Sequence, residues 1–303
     1  MSAIRITVPM ALGPSQLVST NVPENEHAAW SAGATYALGD RVIRASAIYE
    51  SAQAGNIGHD PIDAGDAWWL YVNPTNRWAA FSLLRPTPTR RAEPCFWEFA
   101  LGSSINAIHI IGALDVEQAR VRLTSASAGL VYDTGDTPVG LTMAEASYWN
   151  FFYGPRNYVN ELHYYDLPPY EDMTLRLDFA GGADMRVTYI LAGAVQKFGV
   201  GAEYGLRLGY ESWGSTPRDN WGTPNLKKRP KANRMTFQLL HAEHELDELR
   251  DFLMSADTEV ALWNVAERYR STKVLGTLTA ADTVLGYYSY HTTNIELLGM
   301  PNA

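Results

Sequence analysis

The stretch "TLRLDF", residues 174–179, alternates apolar and polar side chains with a period of two residues. Leu175, Leu177 and Phe179 fall on one side of this alternation, and polar or charged residues fall on the other. Because successive side chains of a β-strand point to opposite faces of a sheet, the pattern predicts a strand with one buried face. A β-structure is therefore the framework for interpreting the rest of the chain.

The same kind of pattern recurs between residues 96 and 195, where short runs are separated by turn residues: "INAIHIIGAL", "ARVRLTSA", "LVYDTG" and "MRVTYILAGAV". Such a series favours antiparallel β-sandwich or jelly-roll-like domains. The predicted fold class is mainly β, with one amphipathic helix at about 241–256 and a small inserted β module. Leu246, Leu249 and Leu253 give that helix its apolar stripe, and acidic side chains favour its N-terminal turn.

Composition divides the chain of 303 residues, which is long enough for two domains, into four predicted segments. They are the first strand of the main body (1–23), a small carbohydrate-binding-like module (24–76), a β-sandwich domain (77–198) and a loop-rich, β-plus-helix assembly domain (199–303). Residues 199–234 are predicted to be loop because Gly, Trp and Pro punctuate them.

The charge balance excludes several classes of partner. Apolar residues make up 46% of the chain and charged residues 19%, which is typical of a globular protein. A formal charge of −9 argues against a general electrostatic grip on nucleic acid or on an anionic membrane. Pro9, Gly13 and Pro14 interrupt the N-terminal apolar run, unlike a signal peptide. We expect no specific nucleic-acid contact and no membrane insertion.

The sequence matches no motif for catalysis, for a cofactor or for a metal. In "GVGAEYG", residues 199–205, the third glycine falls one residue late for a dinucleotide-binding turn. Cys95 is the single cysteine and has no cationic neighbour in the sequence to activate it. His241 and His244 are too closely spaced for a zinc-protease helix. The sequence predicts no catalytic residue, no metal, no cofactor and no enzyme activity.

A ring-rich stretch follows the first strand and has few large aliphatic neighbours. Flat aromatic rings stack on the C–H faces of sugars, so exposed rings on a small scaffold favour saccharide binding. The alternative is that these rings form the minimal core of a small unit without disulfides. Of two adjacent tryptophans on a strand, one is expected to be buried and the other available. The candidate carbohydrate-binding residues are Trp30, Tyr36, Tyr49, Trp68 and Trp69.

The spacing within this stretch follows the pattern Y-x-x-G-D-x-V, then a tyrosine and a closing tryptophan. It resembles the small chitin-binding-type carbohydrate-binding modules. The resemblance implies that the ring positions are Tyr36, Tyr49 and either Trp68 or Trp69, with a turn at Gly39 and Asp40.

Most of the remaining chain is similar to tail proteins of long-tailed bacteriophages, through "NPTNRWAAF", "YILAGAVQKFGVGAEYGLRLGYESW", "NRMTFQLLHAEHELDELRDFL" and "NIELLGM". This resemblance implies a tail-tip, distal-tail or baseplate structural protein of the virion, assembled in the host cytoplasm as a ring or trimer. Its implied partners are the tail tube, hub or fibres, and a host-surface glycan that would serve adsorption. The alternatives are a polysaccharide-acting hydrolase that carries a binding module, and a module that docks protein instead of sugar.

The basic run "KKRPKANR", residues 227–234, is the strongest local charge feature. One interpretation is a solvated loop. The other is that the run meets the acidic helix face of a neighbouring copy, since opposite patches on one chain suit a head-to-tail ring. The candidate subunit-interface residues are Lys227, Lys228, Arg229, Glu243, Glu248 and Asp251.

Overall fold

The computed structural model describes residues 3–63, 65, 67–140, 148–153, 159–218, 221–286 and 289–301. The chain is mainly β, with 52% strand against 9% helix, which confirms the predicted fold class. The strands are β1 (Ile4–Pro9), β2 (Leu17–Thr20), β3 (Ala28–Ala29), β4 (Thr35–Tyr36), β5 (Arg41–Arg44), β6 (Ala47–Ser51), β7 (Asn56–Ile57), β8 (Trp69–Pro74), β9 (Thr89–Arg91), β10 (Cys95–Ala100), β11 (Ala107–Ile111), β12 (Leu114–Ser125), β13 (Gly129–Asp133), β14 (Thr137–Pro138), β15 (Glu161–Tyr164), β16 (Met173–Val187), β17 (Tyr189–Phe198), β18 (Gly201–Ala202), β19 (Arg207–Ser212), β20 (Lys231–Ala242), β21 (Ala261–Asn264), β22 (Lys273–Val284) and β23 (Tyr290–Gly299). The helices are α1 (Asn76–Ala79), α2 (Tyr148–Tyr153) and α3 (Leu246–Ser255), with 3-10 turns at Glu243–Glu245 and Arg270–Thr272.

The chain divides into two compact units, which we call the terminal unit (residues 1–10 and 193–303) and the central unit (residues 11–192). Both ends of the chain meet in the terminal unit because β1 pairs with the second half of β17, with Ile4 opposite Phe198 and Pro9 opposite Gly193. The two units are coarser than the four segments predicted from the sequence, which stay predictions.

The terminal unit is built on one antiparallel sheet. From β17 its order runs through β1, β21, β22, β23 and β20, and both β18 and β19 then pair with β20. Helix α3 buries Leu249 and Phe252 in the core of this sheet, and the ring of Phe252 lies 5.0 Å from that of Phe198. Burying these side chains is what fixes the helix to the sheet.

Helix α3 begins later than predicted. The sequence predicts a helix from about 241, whereas His241 is the penultimate residue of β20 and lies opposite His291 in the ladder with β23. The chain must leave this ladder before it can turn, and the 3-10 turn follows directly. The backbone N–H of Ala242 donates a hydrogen bond to Oε2 of Glu245 at 3.3 Å, which supports the start of the turn.

The central unit contains the sheet that "TLRLDF" predicts. Its order is β13, β12, β16, β10 and β2, with β14 added to β12 and β9 added to β16. Leu175, Leu177 and Phe179 of β16 are buried, as their alternation requires. The polar side chains between them are only partly buried.

Ion pairs cross the strands on that partly buried face. Nη2 of Arg122 lies 2.7 Å from Oδ2 of Asp178, and Nη2 of Arg120 lies 2.6 Å from Oδ2 of Asp133. Hydrogen bonds from the Arg120 side chain and then from the Gly135 backbone N–H lower the pKa of Asp133 to about 2. Cross-strand pairs of opposite charge contribute to strand register as well as to stability.

The segment "NRWAAF", residues 76–81, anchors the chain to this sheet. Trp78 and Phe81 place their rings 6.1 Å and 5.1 Å from that of Phe99 on β10. The indole Nε1–H of Trp97 donates to the carbonyl oxygen of Arg77 at 3.1 Å. These ring contacts and the hydrogen bond from Trp97 hold the short helix α1 in place against the sheet.

Residues 199–234, predicted to be loop, contain β18, β19 and the first four residues of β20, while the other described residues of this range lie outside the strands. Arg207 lies opposite Thr236, and Ser212 lies opposite Lys231. The Gly and Pro residues in this range favour turns. The strand that pairs with β19 is β20, which begins only after a long connection. The prediction was wrong for these strand residues because pairing over that distance leaves no local period in the sequence.

We predict that Leu249→Ala lowers the free energy of unfolding of the terminal unit by about 2–5 kcal/mol, because the side chain is 1% exposed and its removal leaves a cavity. Met254→Ala on the same helix, where the side chain is 68% exposed, should change it by less than about 0.5 kcal/mol. Urea unfolding followed by circular dichroism measures both. Equal losses would contradict the placement of α3.

We also predict that Asp133→Asn flattens the acid dependence of stability. Because the folded pKa of Asp133 is about 2 and its unfolded value is higher, its stabilising contribution is present above the unfolded pKa and is lost as the pH falls towards 2. Urea midpoints at pH 6, 4, 3 and 2 measure this loss. Asp136→Asn, whose Oδ1 lies 3.6 Å from Arg120, is the control. Parallel pH curves for the wild type and Asp133→Asn would refute the assignment.

Candidate functional site

The ring-rich stretch forms two small sheets within the central unit. One has the order β3, β5, β6 and β8, and the other pairs β4 with β7. The turn before β5 uses Gly39, whose φ is +87°, a conformation that favours glycine. The backbone N–H of Gly39 donates to the carbonyl oxygen of Ser51 at 2.9 Å, and Oδ2 of Asp40 accepts from the N–H of Ala37 at 2.7 Å.

Trp69 is the centre of this module. Its side chain is 2% exposed, and its Nε1–H donates to the carbonyl oxygen of His59 at 2.8 Å. The edge of Tyr36 packs against it with ring centroids 5.1 Å apart, and the hydroxyl of Tyr36 accepts a hydrogen bond from the N–H of Ser31. These contacts give Trp69 and Tyr36 a role in the core of the module.

Trp68, the other member of the tryptophan pair, is partly exposed. Its ring stacks on His59 with centroids 3.8 Å apart and an interplanar angle of 15°. The expected division of the pair into one buried and one available ring is what the burial shows, with Trp69 buried. His59 lies against one face of the Trp68 ring.

The remaining candidate rings lie in two further places. Trp30 is partly buried beneath the guanidinium of Arg44, 5.1 Å from the ring centroid, and Arg44 is itself paired with Asp60 at 2.7 Å. Tyr49 meets Tyr71 edge to face at 5.9 Å. The five candidates therefore do not form one flat platform, and their binding role stays a prediction.

Tyr71 was not among the candidate carbohydrate-binding residues predicted from the sequence. It is 43% exposed and lies opposite Tyr49 in the pairing of β6 with β8. The available signal was its position two residues after Trp69, but selecting it required the register between two strands. Neither the pattern Y-x-x-G-D-x-V nor the ring spacing supplies that register.

The basic candidates lie on a long exposed hairpin, which we call the arm and define as residues 207–231. Every described residue of the arm is exposed, and Trp221 is 92% exposed. Beyond β19, isolated bridges join Ser215 to Lys227 and Arg218 to Pro224. Lys227 is thus joined by backbone pairing to the opposite side of the arm, and Lys228 and Arg229 follow it directly in the sequence.

A groove of about 690 Å³ runs between α3 and β22 in the terminal unit. Its lining combines acidic side chains with apolar ones and includes Leu246, Asp247, Arg250, Leu253, Met254, Asp257, Asp282 and Leu285. Of the predicted acidic interface residues, Glu243, Glu248 and Asp251 are exposed, but they do not line this groove. Their interface role stays a prediction.

The floor of the groove is the edge of a strand. β21 pairs with β22 only from Lys273 to Gly276, and the next contact on that side is the bridge from Asp257 to Leu278. In the described part of the chain, residues 279–284 of β22 therefore have a strand neighbour only on the β23 side. Backbone groups along such an edge can accept another strand.

The residues tested for chemistry take structural positions. Cys95 is buried, and this burial raises the pKa of its thiol to about 12, so the nucleophilic thiolate does not form near neutral pH. His241 is buried in β20 with Nε2 2.9 Å from Oγ1 of Thr293, whereas His244 is exposed on the 3-10 turn, so the two do not share a helix face. Among the described residues, no group of three or more His, Cys, Asp or Glu side chains could hold a metal ion.

A search of the described helices finds none with the length and apolar character needed to span a membrane. Comparison with protein-family models, with curated proteins and with solved structures gave no match to this chain.

We predict that Trp69→Ala destabilises the module by about 3–5 kcal/mol, because a buried ring and its hydrogen bond are both lost. Trp68→Ala should cost less than about 1.5 kcal/mol, because that ring is partly exposed and loses mainly one stacking contact. Hydrogen exchange of the amides of β6 and β8 measures the local stability. If both variants speed exchange equally, the assignment of Trp69 to the core is wrong.

Proposed function

We propose that this chain is a structural protein of a bacteriophage tail tip, that it assembles head to tail with copies of itself, and that its module binds a host-surface glycan. The sequence resemblance to tail proteins supports this proposal. The observation that carries the assembly is that, within the residues the structure describes, the sheet of the terminal unit has two strand edges without a neighbour, and the surroundings of these edges carry opposite charge.

The first unpaired edge is β19. In the described residues it pairs only with β20, and the arm continues beyond it with every described side chain exposed. A two-stranded ribbon is at best marginally stable in water without further packing. The arm therefore gains order by lying against another surface.

The second unpaired edge is the β22 segment 279–284 in the groove. Soluble proteins usually protect such edges, because an exposed row of backbone donors and acceptors pairs with other chains. The apolar side chains of Met254 and Leu285 beside this edge are 68% and 66% exposed and would gain burial from a strand laid there.

The charges of the two regions are complementary. The arm carries six Lys and Arg residues against two acidic ones, while the whole chain carries 24 against 33. The groove presents Asp247, Asp257 and Asp282 against Arg250. A basic surface that fits an acidic one elsewhere on the same chain makes a heterologous contact, which closes into a ring when the rotation between copies allows it.

This assembly is tested by charge reversal and mixing. Lys227→Glu with Lys228→Glu and Arg229→Glu reverses the net charge of the arm, leaving three basic residues against five acidic ones. Asp247→Lys with Asp282→Lys reverses the charge of the groove. Each set of substitutions alone should weaken self-association at least about tenfold, because like charges then face each other. Mixed in equal amounts, the two variants should restore assembly with an even number of subunits, since each arm then meets a complementary groove. Light scattering and electron microscopy measure the assembly.

Glu248→Lys with Asp251→Lys lies on the same helix outside the groove, and it reverses the acidic helix face that the sequence predicts as the interface. We expect this variant to assemble normally because the groove receives the arm. Loss of assembly in this variant alone would refute the groove and favour the acidic face. A wild-type chain that stays monomeric at micromolar concentration, or reversals without effect in low salt, would refute head-to-tail assembly.

A further inference from the structure

The arginines of the module region have different surroundings. Residues 24–85 contain four arginines and no lysine. Three of the four form carboxylate pairs within the region, namely Arg41 with Glu50 at 2.8 Å, Arg44 with Asp60 at 2.7 Å and Arg77 with Glu24 at 3.1 Å. The fourth, Arg85, has no carboxylate partner among the described residues.

Arg85 is instead held against a tyrosine. Its guanidinium carbon lies 5.0 Å from the centroid of the Tyr71 ring, and its Nη1 donates to the carbonyl oxygen of Val72. The guanidinium group has five N–H donors, so this arrangement orients it and leaves donors for a ligand. Arg85 is also exposed, so that a ligand can reach it.

Tyr71 and Tyr49 supply the rest of the surface. They are cross-strand partners whose rings meet at 76°, and Tyr71 is 43% exposed. Partial burial raises the pKa of the Tyr71 hydroxyl above its ordinary value, so the side chain is uncharged at physiological pH. We call Tyr49, Tyr71 and Arg85 the Tyr71 patch.

We propose that the Tyr71 patch binds a carboxylated saccharide. Arg85 receives the carboxylate in a charge-assisted hydrogen bond, and the exposed part of the Tyr71 ring contacts the C–H face of the sugar. The positive charge of Arg85 favours an acidic sugar over a neutral one, because no described carboxylate neutralises it. The other three arginines are already paired with carboxylates. This inference rests on the glycan-binding part of the proposed function and names its ligand class.

The residues of this site differ from those that the resemblance to chitin-binding-type modules implies. Tyr71 and Arg85 lie outside the Y-x-x-G-D-x-V pattern and follow its closing tryptophan. Only Tyr49 is shared with that set. The Tyr71 patch therefore adds a preference for charge to a module whose other rings, Tyr36 and Trp69, are engaged in its core.

The test measures binding of the full chain to oligogalacturonate, to oligomannuronate, and to the methyl ester of each, by calorimetry at low and high salt. We expect at least one acidic oligosaccharide to bind at least about tenfold more tightly than its ester, as one charge-assisted contact allows, with affinity falling as salt rises. Arg85→Gln should remove this preference for the acid, and Tyr71→Ala should weaken the binding of both the acid and the ester. Tyr71→Phe should keep most of the affinity.

Arg41→Gln is the matched control, because Arg41 is an exposed arginine of the same module that already has a carboxylate partner. Equal binding of acid and ester, no binding of either acid at millimolar concentration, or tighter binding of a polyglutamate peptide than of the sugars would overturn the proposal. Light scattering on the same variants separates the two proposals, because Arg85→Gln leaves the arm and the groove unchanged. If the wild-type chain assembles normally but binds no acidic sugar, only the proposed binding site at the Tyr71 patch is refuted, and the proposed assembly is not.

Discussion

Pairing of backbone N–H and C=O groups along long strands is the constraint on which the terminal unit depends. β23 satisfies β20 on one side and β22 on the other, over most of its length. β21 is short, so its pairing with β22 stops at Gly276. In the arm, β19 pairs with β20 as its one neighbour among the described strands. In the described part of the chain, the sheet therefore has two strand edges without a neighbour, and these are the edges at which we propose that another copy pairs.

The module reaches stability by a different route, because it contains no disulfide and few large aliphatic side chains. Trp69 fills its centre, and Tyr36 packs on Trp69 edge to face. Because these rings serve as the core, the site that we propose for a ligand uses a ring and a cation that the core does not require, Tyr71 and Arg85. The division follows from size, since a small unit must bury the large side chains that it has.

Much of the fold could be predicted because its signals are local. The alternation of Leu175, Leu177 and Phe179 gave a strand with one buried face, and the leucine spacing gave α3. The start of α3 was misplaced because His241 belongs to a ladder whose partner, His291, lies fifty residues away. The arm was predicted as loop for the same reason, since the sequence of 207–231 has no hydrophobic period that indicates pairing with a distant strand. Candidate rings could be found from composition, but their surroundings could not.

By itself, the sequence determined the mainly-β class, the side of each alternating strand that faces the core, and the position of a basic run in an acidic chain. These depend on residue type and on a period of two or 3.6 residues. Only the tertiary structure decided which tryptophan of the pair is buried, that Tyr71 rather than Trp69 reaches solvent beside Arg85, and that residues 279–284 have, among the described residues, a strand neighbour only on the β23 side. Each of these depends on strand register between distant residues, such as Ser51 opposite Trp69, and a one-residue slip in register would reverse the faces.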